Sequence, residues 1–418
     1  MRVLLVVGQF PEPSQTFIAS HFTGLLAHGV DAHVWCSVAD PAAWRSFPGL
    51  AELAAGRIHV HAPRERPGRT VRGLLAAAPA AARRARTGGP RLVAAARKRP
   101  PADAGRRLLA GARVLALRPD VIHFEFGVDA AGSTWMGDAA GCPVVVSLRG
   151  YDISYAGLDE PGFYDEVWQR ADALHFLGED LRRRALQRGC PPGKLHRLIP
   201  SAVDTERFTP GPRREPTGGP LVVLTVARLH WKKGHEHALV ALRKLVDAGI
   251  DVEYRLLGGG PHERAVRAYV HDLGLARHVR LLGDRPPAGV LDELRRADVL
   301  LHPAVSEGFG NAVLEAQAVE VPVVCTDADG LRENVLDGVS GLVVPRRDPD
   351  ALAAAVTRLA GDPALRRQMG QAGRRHVGER FGPRAQIQAF VELYEQTTAA
   401  PRAITAVPPA TAARAPGG

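Results

Sequence analysis

The feature that most constrains this chain is a pattern met twice: a short continuous apolar run, a turn, then a stretch of helical periodicity. In the first half, Val3-Leu4-Leu5-Val6-Val7 leads into a helical stretch at 17–28, and residues 31–36, 121–124 and 144–148 read as further strands. In the second half, residues 221–226 precede a helix near 235–248, followed by strands at 253–257, 279–282, 299–302 and 321–325. Apolar runs this short and unbroken suit strands buried on both faces. Strands alternating with helices build parallel sheets from βαβ units. The expected fold class is α/β, with two doubly wound domains facing each other across a cleft. In such folds ligands bind at the carboxyl ends of the strands.

Proline and glycine cluster between the halves, as Pro210-Gly211-Pro212 and Gly218-Gly219-Pro220, and mark a linker. The expected division is residues 1–205 as an N-terminal domain, with a helix at 384–398 packing back on it, and residues 206–383 as a C-terminal domain. Residues 399–418 are rich in Pro, Ala and Thr and are expected to be disordered. A chain of 418 residues is long enough for two cores. No apolar run reaches the roughly 20 residues that span a bilayer, and residues 3–7 are too few for a signal-peptide core. Cys36, Cys142, Cys190 and Cys325 lie far apart with no metal-ligand spacing, which suits a reduced cytoplasm.

The net charge of +10 is unevenly spread. Residues 64–118 hold 15 Arg or Lys against only Glu65 and Asp103 as acids, with Ala and Leu between them. One reading is a pair of basic amphipathic helices lying against anionic membrane lipid. The plainer reading is a solvated helical face in an Ala- and Arg-rich protein. Nucleic acid is not an expected partner, because the segment has no aromatic residue to stack on bases.

The strongest chemical signal is Ser306-Glu307-Gly308-Phe309-Gly310-Asn311-Ala312-Val313-Leu314-Glu315, between a strand and a helix. Gly308 and Gly310 let a ligand approach the backbone. The helix opening near Asn311 directs free N–H groups to the same place. Glu315 stands roughly 6 Å further along the helix axis, and carboxylates, as pure acceptors, suit the hydroxyls of a sugar or ribose. Arg228 and Lys233 follow the strand at 221–226, with Gly234 leading into a helix. Fixed cations there would stabilise a departing diphosphate without proton transfer. Gly258-Gly259-Gly260-Pro261 is a third junction of this kind, weak by itself. The bland alternative is an ordinary strand–turn–helix junction with solvated glutamates and a solvated basic turn.

Taken in order, Arg228 with Lys233-Gly234, Gly258-Gly259-Gly260-Pro261, Glu307 with Glu315, and Gly330-Leu331-Arg332-Glu333 resemble the retaining glycosyltransferases of family 4. The resemblance runs from residue 221 to about 381 and implies the GT-B fold of two Rossmann-like domains. It implies a catalytic set of Arg228, Lys233, Glu307 and Arg149, with the two cations on the donor diphosphate and Glu307 on the donor sugar. It places Glu315 on the ribose, with Phe309, Gly310, Asn311, Gly258 and Gly260 also on the donor. It further implies no cofactor and no bound metal, so that Asp327-Ala328-Asp329 reads as a loop. In the first half, Phe10-Pro11 and Pro13-Ser14-Gln15-Thr16-Phe17-Ile18 resemble the opening loop of a subgroup that includes exopolysaccharide and colanic-acid-type transferases, where Glu more often replaces Gln15. Gln15, Thr16, Glu125 and Asp152 are then the acceptor side. Arg149 stands where many members carry histidine. An arginine cannot act as a general base at neutral pH, so it is expected to bind a donor phosphate or an acidic acceptor instead.

The implied activity is transfer of a hexosyl or N-acetylhexosaminyl group, with retention, from a nucleotide diphosphate sugar to an acceptor hydroxyl. UDP is the expected nucleotide, with a guanine nucleotide as the alternative. The acceptor is expected to be a carbohydrate or lipid-linked saccharide in polysaccharide or glycolipid assembly, in the cytoplasm or on the inner face of the membrane. Other readings stay open at this point. They are glycosylation of a small natural product such as an aminoglycoside, a catalytically silent GT-B binding protein, a nucleotide-sugar epimerase and a glycosidase. The glycosidase needs carboxyls on opposite sides of the scissile bond.

Overall fold

The computed structural model describes residues 1–12, 15–61, 101–211 and 219–400 and, within the helix Pro101–Leu117, side chains from residue 107 onward. The first sheet contains β1 (Arg2–Gln9), β2 (Asp31–Val38), β3 (Ile58–Val60), β4 (Val121–Phe124), β5 (Val144–Leu148), β6 (Ala173–Phe176) and β7 (His196–Leu198). Its order is β3-β2-β1-β4-β5-β6-β7 and every pairing is parallel. The second sheet contains β8 (Leu221–Val226), β9 (Val252–Leu257), β10 (Val279–Gly283), β11 (Val299–His302), β12 (Val323–Thr326) and β13 (Gly341–Val344). Its order is β10-β9-β8-β11-β12-β13, again all parallel. Both sheets are doubly wound, and strand order reverses at β1/β4 and at β8/β11.

Side-chain parity decides which face of the first sheet meets which layer. Val3, Leu5, Val7, Val121, Val145 and Ala173 face the helix Thr16–Ala27 and the final helix Pro383–Ala399. Leu4, Val6, Ile122, Phe124, Val144 and Val146 face the other way, toward Trp135, Trp168 and Val114. That apolar cluster continues into Phe309, Leu300 and Val323 of the second half.

The chain ends by crossing back. The helix Pro363–Arg380 packs on the second half, and Pro383–Ala399 then returns to the first, burying Ile387, Phe390, Leu393 and Tyr394 beside Ile18, Phe22 and Leu25. The two helices touch at Gly24, where a Cβ would lie 2.7 Å from Ile387. The final helix is also held at its edges, by Gln386 donating to the Pro200 carbonyl at 2.6 Å and by Arg197 paired with Glu392 at 2.9 Å.

The stretch expected as a linker is partly pinned. Val203 N donates to the Phe381 carbonyl at 2.9 Å, Arg374 to the Phe208 carbonyl at 3.0 Å, and Arg295 to the Thr209 carbonyl at 2.9 Å. The rest of the linker, 212–218, lies outside the described residues, as do 401–418 of the tail expected from 399 and residues 64–100 of the basic segment. The described end of that segment buries Leu109, Val114 and Leu115 in the core, so its apolar side is occupied by protein. Among the described residues no helix is long and apolar enough to cross a membrane.

Leu393 is fully buried under the first sheet. Leu393→Ala should cost about 2–5 kcal/mol, seen as a lower midpoint in urea denaturation followed by circular dichroism. An unchanged midpoint would show that the final helix does not contribute to the fold.

Candidate active site

A cavity of about 560 Å³ lies between the carboxyl ends of the two sheets. Both points of strand reversal supply its walls. Gly8 and Gln9 end β1, Phe126 and Asp129 follow β4, Arg149 and Gly150 follow β5, Arg228 follows β8, and His302 ends β11. Among the residues singled out from the sequence, Arg228, Lys233, Glu307, Phe309, Gly310, Asn311, Arg149 and Gln15 line this one cavity. The walls touch at its floor, where a Cβ on Gly150 would lie 2.7 Å from the Gly308 Cα.

Lys233 and Glu307 meet because two loops are stitched together. Gly234 has φ +65 and packs against the Pro303 carbonyl, which a Cβ would strike at 2.1 Å. The Val305 and Ser306 amides donate to the Lys232 carbonyl at 2.8 and 3.2 Å. The Lys233 ammonium then pairs with the Glu307 carboxylate, which also receives His302 Nε2 at 3.1 Å and the Gly308 amide at 3.0 Å. Burial alone would raise the Glu307 pKa, but Lys233 and His302 outweigh it and hold the carboxyl well below its usual range. Asp329 fixes the loop from behind, accepting from the Ser306 hydroxyl at 2.6 Å and the Glu307 amide at 3.1 Å while pairing with Arg346 at 3.2 Å. Asp327 is also bound to Arg346, at 3.3 Å. Through these contacts the two aspartates hold the loop.

The helix Asn311–Ala318 opens at the cavity with Gly310 as its cap at φ +88 and no side-chain cap, so its first amides face that space. Arg228 is exposed on the same wall, and among the described residues no side chain pairs with its guanidinium. Glu315 is half-buried one turn along the helix, outside the cavity lining. Burial pushes its pKa up to about 7, opposed only by the charge of Arg207.

Gly258 and Gly260, expected to touch the donor, do something else. Their φ values are +134 and +152, and a Cβ on either would strike the carbonyl of Ala227 or Leu229 at 2.2 or 2.4 Å. They let this loop lie flat on the turn that carries Arg228, and the Leu229 amide donates to the Gly259 carbonyl at 2.8 Å. Gly330 is similar, since its Cβ would meet the Gly308 carbonyl at 2.4 Å. Glu333 crosses between the halves and caps the helix Glu179–Gln187, accepting from the Glu179 and Asp180 amides at 2.9 and 2.8 Å.

The residues expected on the acceptor side divide. Gln15 is in the wall, whereas Thr16 is exposed at the start of its helix, outside the lining. Asp152 is fully buried and accepts from the Arg149 and Val128 amides at 2.8 and 3.0 Å. Glu125 is fully buried beneath the wall, two residues after His123 on the same face of the chain. There it takes Arg149 Nη2 at 2.6 Å and His21 Nδ1 at 2.5 Å, while Arg149 Nε donates to its carbonyl at 3.0 Å. Burial opposes the charge on Glu125, yet His21 and Arg149 keep its carboxyl well below the usual range. Arg149 therefore arrives at the cavity already paired, stacked 4.1 Å over Phe17, and is not a free cation awaiting a phosphate or an acid.

The network continues inward. His21 Nε2 lies 3.3 Å from the Tyr394 hydroxyl, which lies 2.7 Å from His123 Nδ1, and Ser147 links His123 to His175 at 2.8 and 2.7 Å. His21, His123 and Glu125 are close enough to hold a metal ion. Both nitrogens of each histidine already have hydrogen-bond partners, and Arg149 sits on the carboxylate, so the set does not fit a cation. Sequence reasoning missed His302, Asp129 and Lys232, which also line the cavity.

Comparison with known proteins places this arrangement. Residues 14–200 match the family described as glycosyl transferase 4-like domain, and residues 212–376 match glycosyl transferases group 1. A GDP-mannose-dependent alpha-(1-6)-phosphatidylinositol monomannoside mannosyltransferase of Mycolicibacterium smegmatis is 31% identical over 60% of this chain and 69% of its own. The chain belongs to glycosyltransferase family 4. The glycosyltransferase WcaL of Salmonella typhimurium, named for colanic acid biosynthesis, is a further relative of this family member, 34% identical over 57% of this chain. The match spans 61% of WcaL, under two thirds of that protein's length. Among solved structures, Anabaena HepE in complex with UDP has a TM-score of 0.73 at 17% identity, covering 95% of this chain and all of HepE. Sucrose-phosphate synthase of Thermosynechococcus elongatus gives 0.69 at 19% identity, covering 96% and 99%. These likenesses show the GT-B fold of the family-4 chain.

Glu315 offers a pH test of this geometry. The folded protein keeps its proton up to about 7, whereas the unfolded chain releases it near the ordinary 4.5. Between those values the folded state binds the extra proton, so this group lowers stability as pH rises. Glu315→Gln should gain Tm relative to the unsubstituted protein steadily from pH 4.5 to about 7. Parallel Tm curves would contradict the burial of this carboxyl.

Proposed function

We propose that this chain transfers a hexosyl or N-acetylhexosaminyl group from a nucleotide diphosphate sugar to an acceptor hydroxyl, with retention at the anomeric carbon. The observation that carries the reading is the grouping of Arg228, Lys233 and Glu307 on one cavity wall beside the opening of the helix Asn311–Ala318. A diphosphate would be met there by a guanidinium, an ammonium and a row of free amides. Fixed charges aimed at the leaving group stabilise it as its bond to the sugar breaks, with no proton transfer needed from the protein. Glu307 would hold the donor sugar by its hydroxyls, and Glu315 the ribose hydroxyls, whose O–H groups suit a carboxylate. Among the described residues no hydroxyl in the wall is hydrogen-bonded to a histidine, and the departing diphosphate itself would take the acceptor proton on the same face.

Uridine is the first nucleotide to test, supported by HepE, which was solved with UDP and with UDP-glucose. Guanosine is the second, supported by the GDP-mannose-dependent relative. The names of WcaL and of that mannosyltransferase support a saccharide or glycolipid acceptor in envelope polysaccharide or glycolipid assembly. We also infer work in the cytoplasm, with residues 64–100 as the segment that would meet anionic lipid. The site would need no resident metal, because Arg228 and Lys233 take that role.

The test is release of nucleoside diphosphate from UDP-glucose, UDP-N-acetylglucosamine and GDP-mannose. Lys233→Ala and Glu307→Gln should each lower kcat by about 100- to 1,000-fold, with circular dichroism unchanged and the wild-type rate indifferent to EDTA. Full rates in both variants would end the assignment, and loss of rate in EDTA would end the metal-free reading.

A further inference from the structure

The charges lining the cavity do not all have partners, and the unpaired ones fall on opposite walls. Lys233 is answered by Glu307, and Arg149 by Glu125. Arg228 and Lys232 remain on the second-domain wall, with no ion pair to either among the described residues. Lys232 instead rests 5.2 Å from the ring of Tyr155. Two unpaired cations match a diphosphate. Asp129 remains on the first-domain wall, half-buried, and among the described residues its carboxylate accepts a hydrogen bond only from the Gly8 amide. No cation reaches it among the described residues, and the charges it feels are the carboxylates of Asp152 and Glu125.

We propose that Asp129 receives the hydroxyl of the attacking acceptor, and that this acceptor is a neutral or ammonium-bearing polyol with no phosphate or carboxylate near the attacked oxygen. The inference rests on the transferase reading and adds the acceptor side to it. A carboxylate with free lone pairs is the natural partner of an O–H group, and such charge-assisted bonds are short and strong. An anionic acceptor would instead bring like charge against Asp129, with Asp152 close behind it, a cost that grows as water leaves the cavity. Arg149 offers no compensation, because Glu125 already answers its charge.

In the step itself, the acceptor oxygen forms a bond to the anomeric carbon as the bond from that carbon to the diphosphate oxygen breaks. The electron pair leaves with the diphosphate, and the hydroxyl proton passes to a diphosphate oxygen. Asp129 keeps its charge throughout and orients the attacking oxygen. Burial, with Asp152 and Glu125 nearby, pushes its pKa up to about 6, so it is ionised at neutral pH.

Water can stand in for the acceptor hydroxyl, which allows a test before the natural acceptor is known. With the three donors named above, Asp129→Asn should lower kcat for donor hydrolysis by about 10- to 100-fold and leave donor KM within about twofold. Asn keeps the oxygen that the Gly8 amide needs, and Asp129→Ser provides a second variant if Asn impairs folding. Glycerol should divert more sugar from water than glycerol 3-phosphate does in the unsubstituted protein, and Asp129→Asn should erase that difference. An unchanged hydrolysis kcat, or a preference for glycerol 3-phosphate, would overturn the proposal. Failure of the transferase reading would look different: the unsubstituted protein would release nucleoside diphosphate from none of the donors.

Discussion

An ionised glutamate can stay buried at the bottom of this cleft only because a lysine from another loop reaches it. The Lys233–Glu307 pair, with His302 behind it, ties the turn after β8 to the turn after β11. Those are the two strands at which the second sheet reverses its order. Once the loops are tied, the opening of the helix Asn311–Ala318 and the guanidinium of Arg228 share one space. Removing either partner would leave an uncompensated charge out of water, which is costly. The same pair that holds the wall together is therefore the one that holds charge ready for a ligand.

The first domain contributes by being brought very close. Gly150 and Gly308 meet backbone to backbone, and Glu333 caps a helix of the opposite domain. On the far side of the first sheet, the last helix supplies Tyr394 to a buried chain of hydrogen bonds that ends on Arg149. The end of the polypeptide thus supports a side chain in the cavity wall. That arrangement explains why an arginine can occupy this wall without adding a free positive charge to it.

The central strands were legible in the sequence because burial on both faces leaves an unbroken apolar run, as in β1, β5 and β8. β3 and β7 were not, since each is a three-residue edge strand interrupted by polar side chains, His59 in one and His196 with Arg197 in the other. β6 hid its character behind His175, a polar residue satisfied by Ser147 and the Ile199 carbonyl. The helix that returns at 383–399 was visible, and its partner Gly24 was not. At the site, Glu307 and the cations after β8 were visible in the sequence, and the fold brings them to one cavity. Gly258 and Gly260 misled, because a sequence shows that something approaches a glycine but not whether it is ligand or backbone. Glu125 misled by parity: its side chain shares the face of His123 and turns inward. Asp129, a single acid in an Ala- and Gly-rich stretch, belongs to no pattern that could have drawn notice.

The chemistry of this cleft depends on where a pyrophosphate would rest. A crystal structure of the full chain grown with UDP measures that directly. The account predicts both phosphates within hydrogen-bond distance of the Arg228 guanidinium, the Lys233 ammonium and the first amides of the helix Asn311–Ala318, with the ribose hydroxyls at Glu315. A pyrophosphate bound away from those groups, or against Arg149 and Asp129 on the opposite wall, would contradict it.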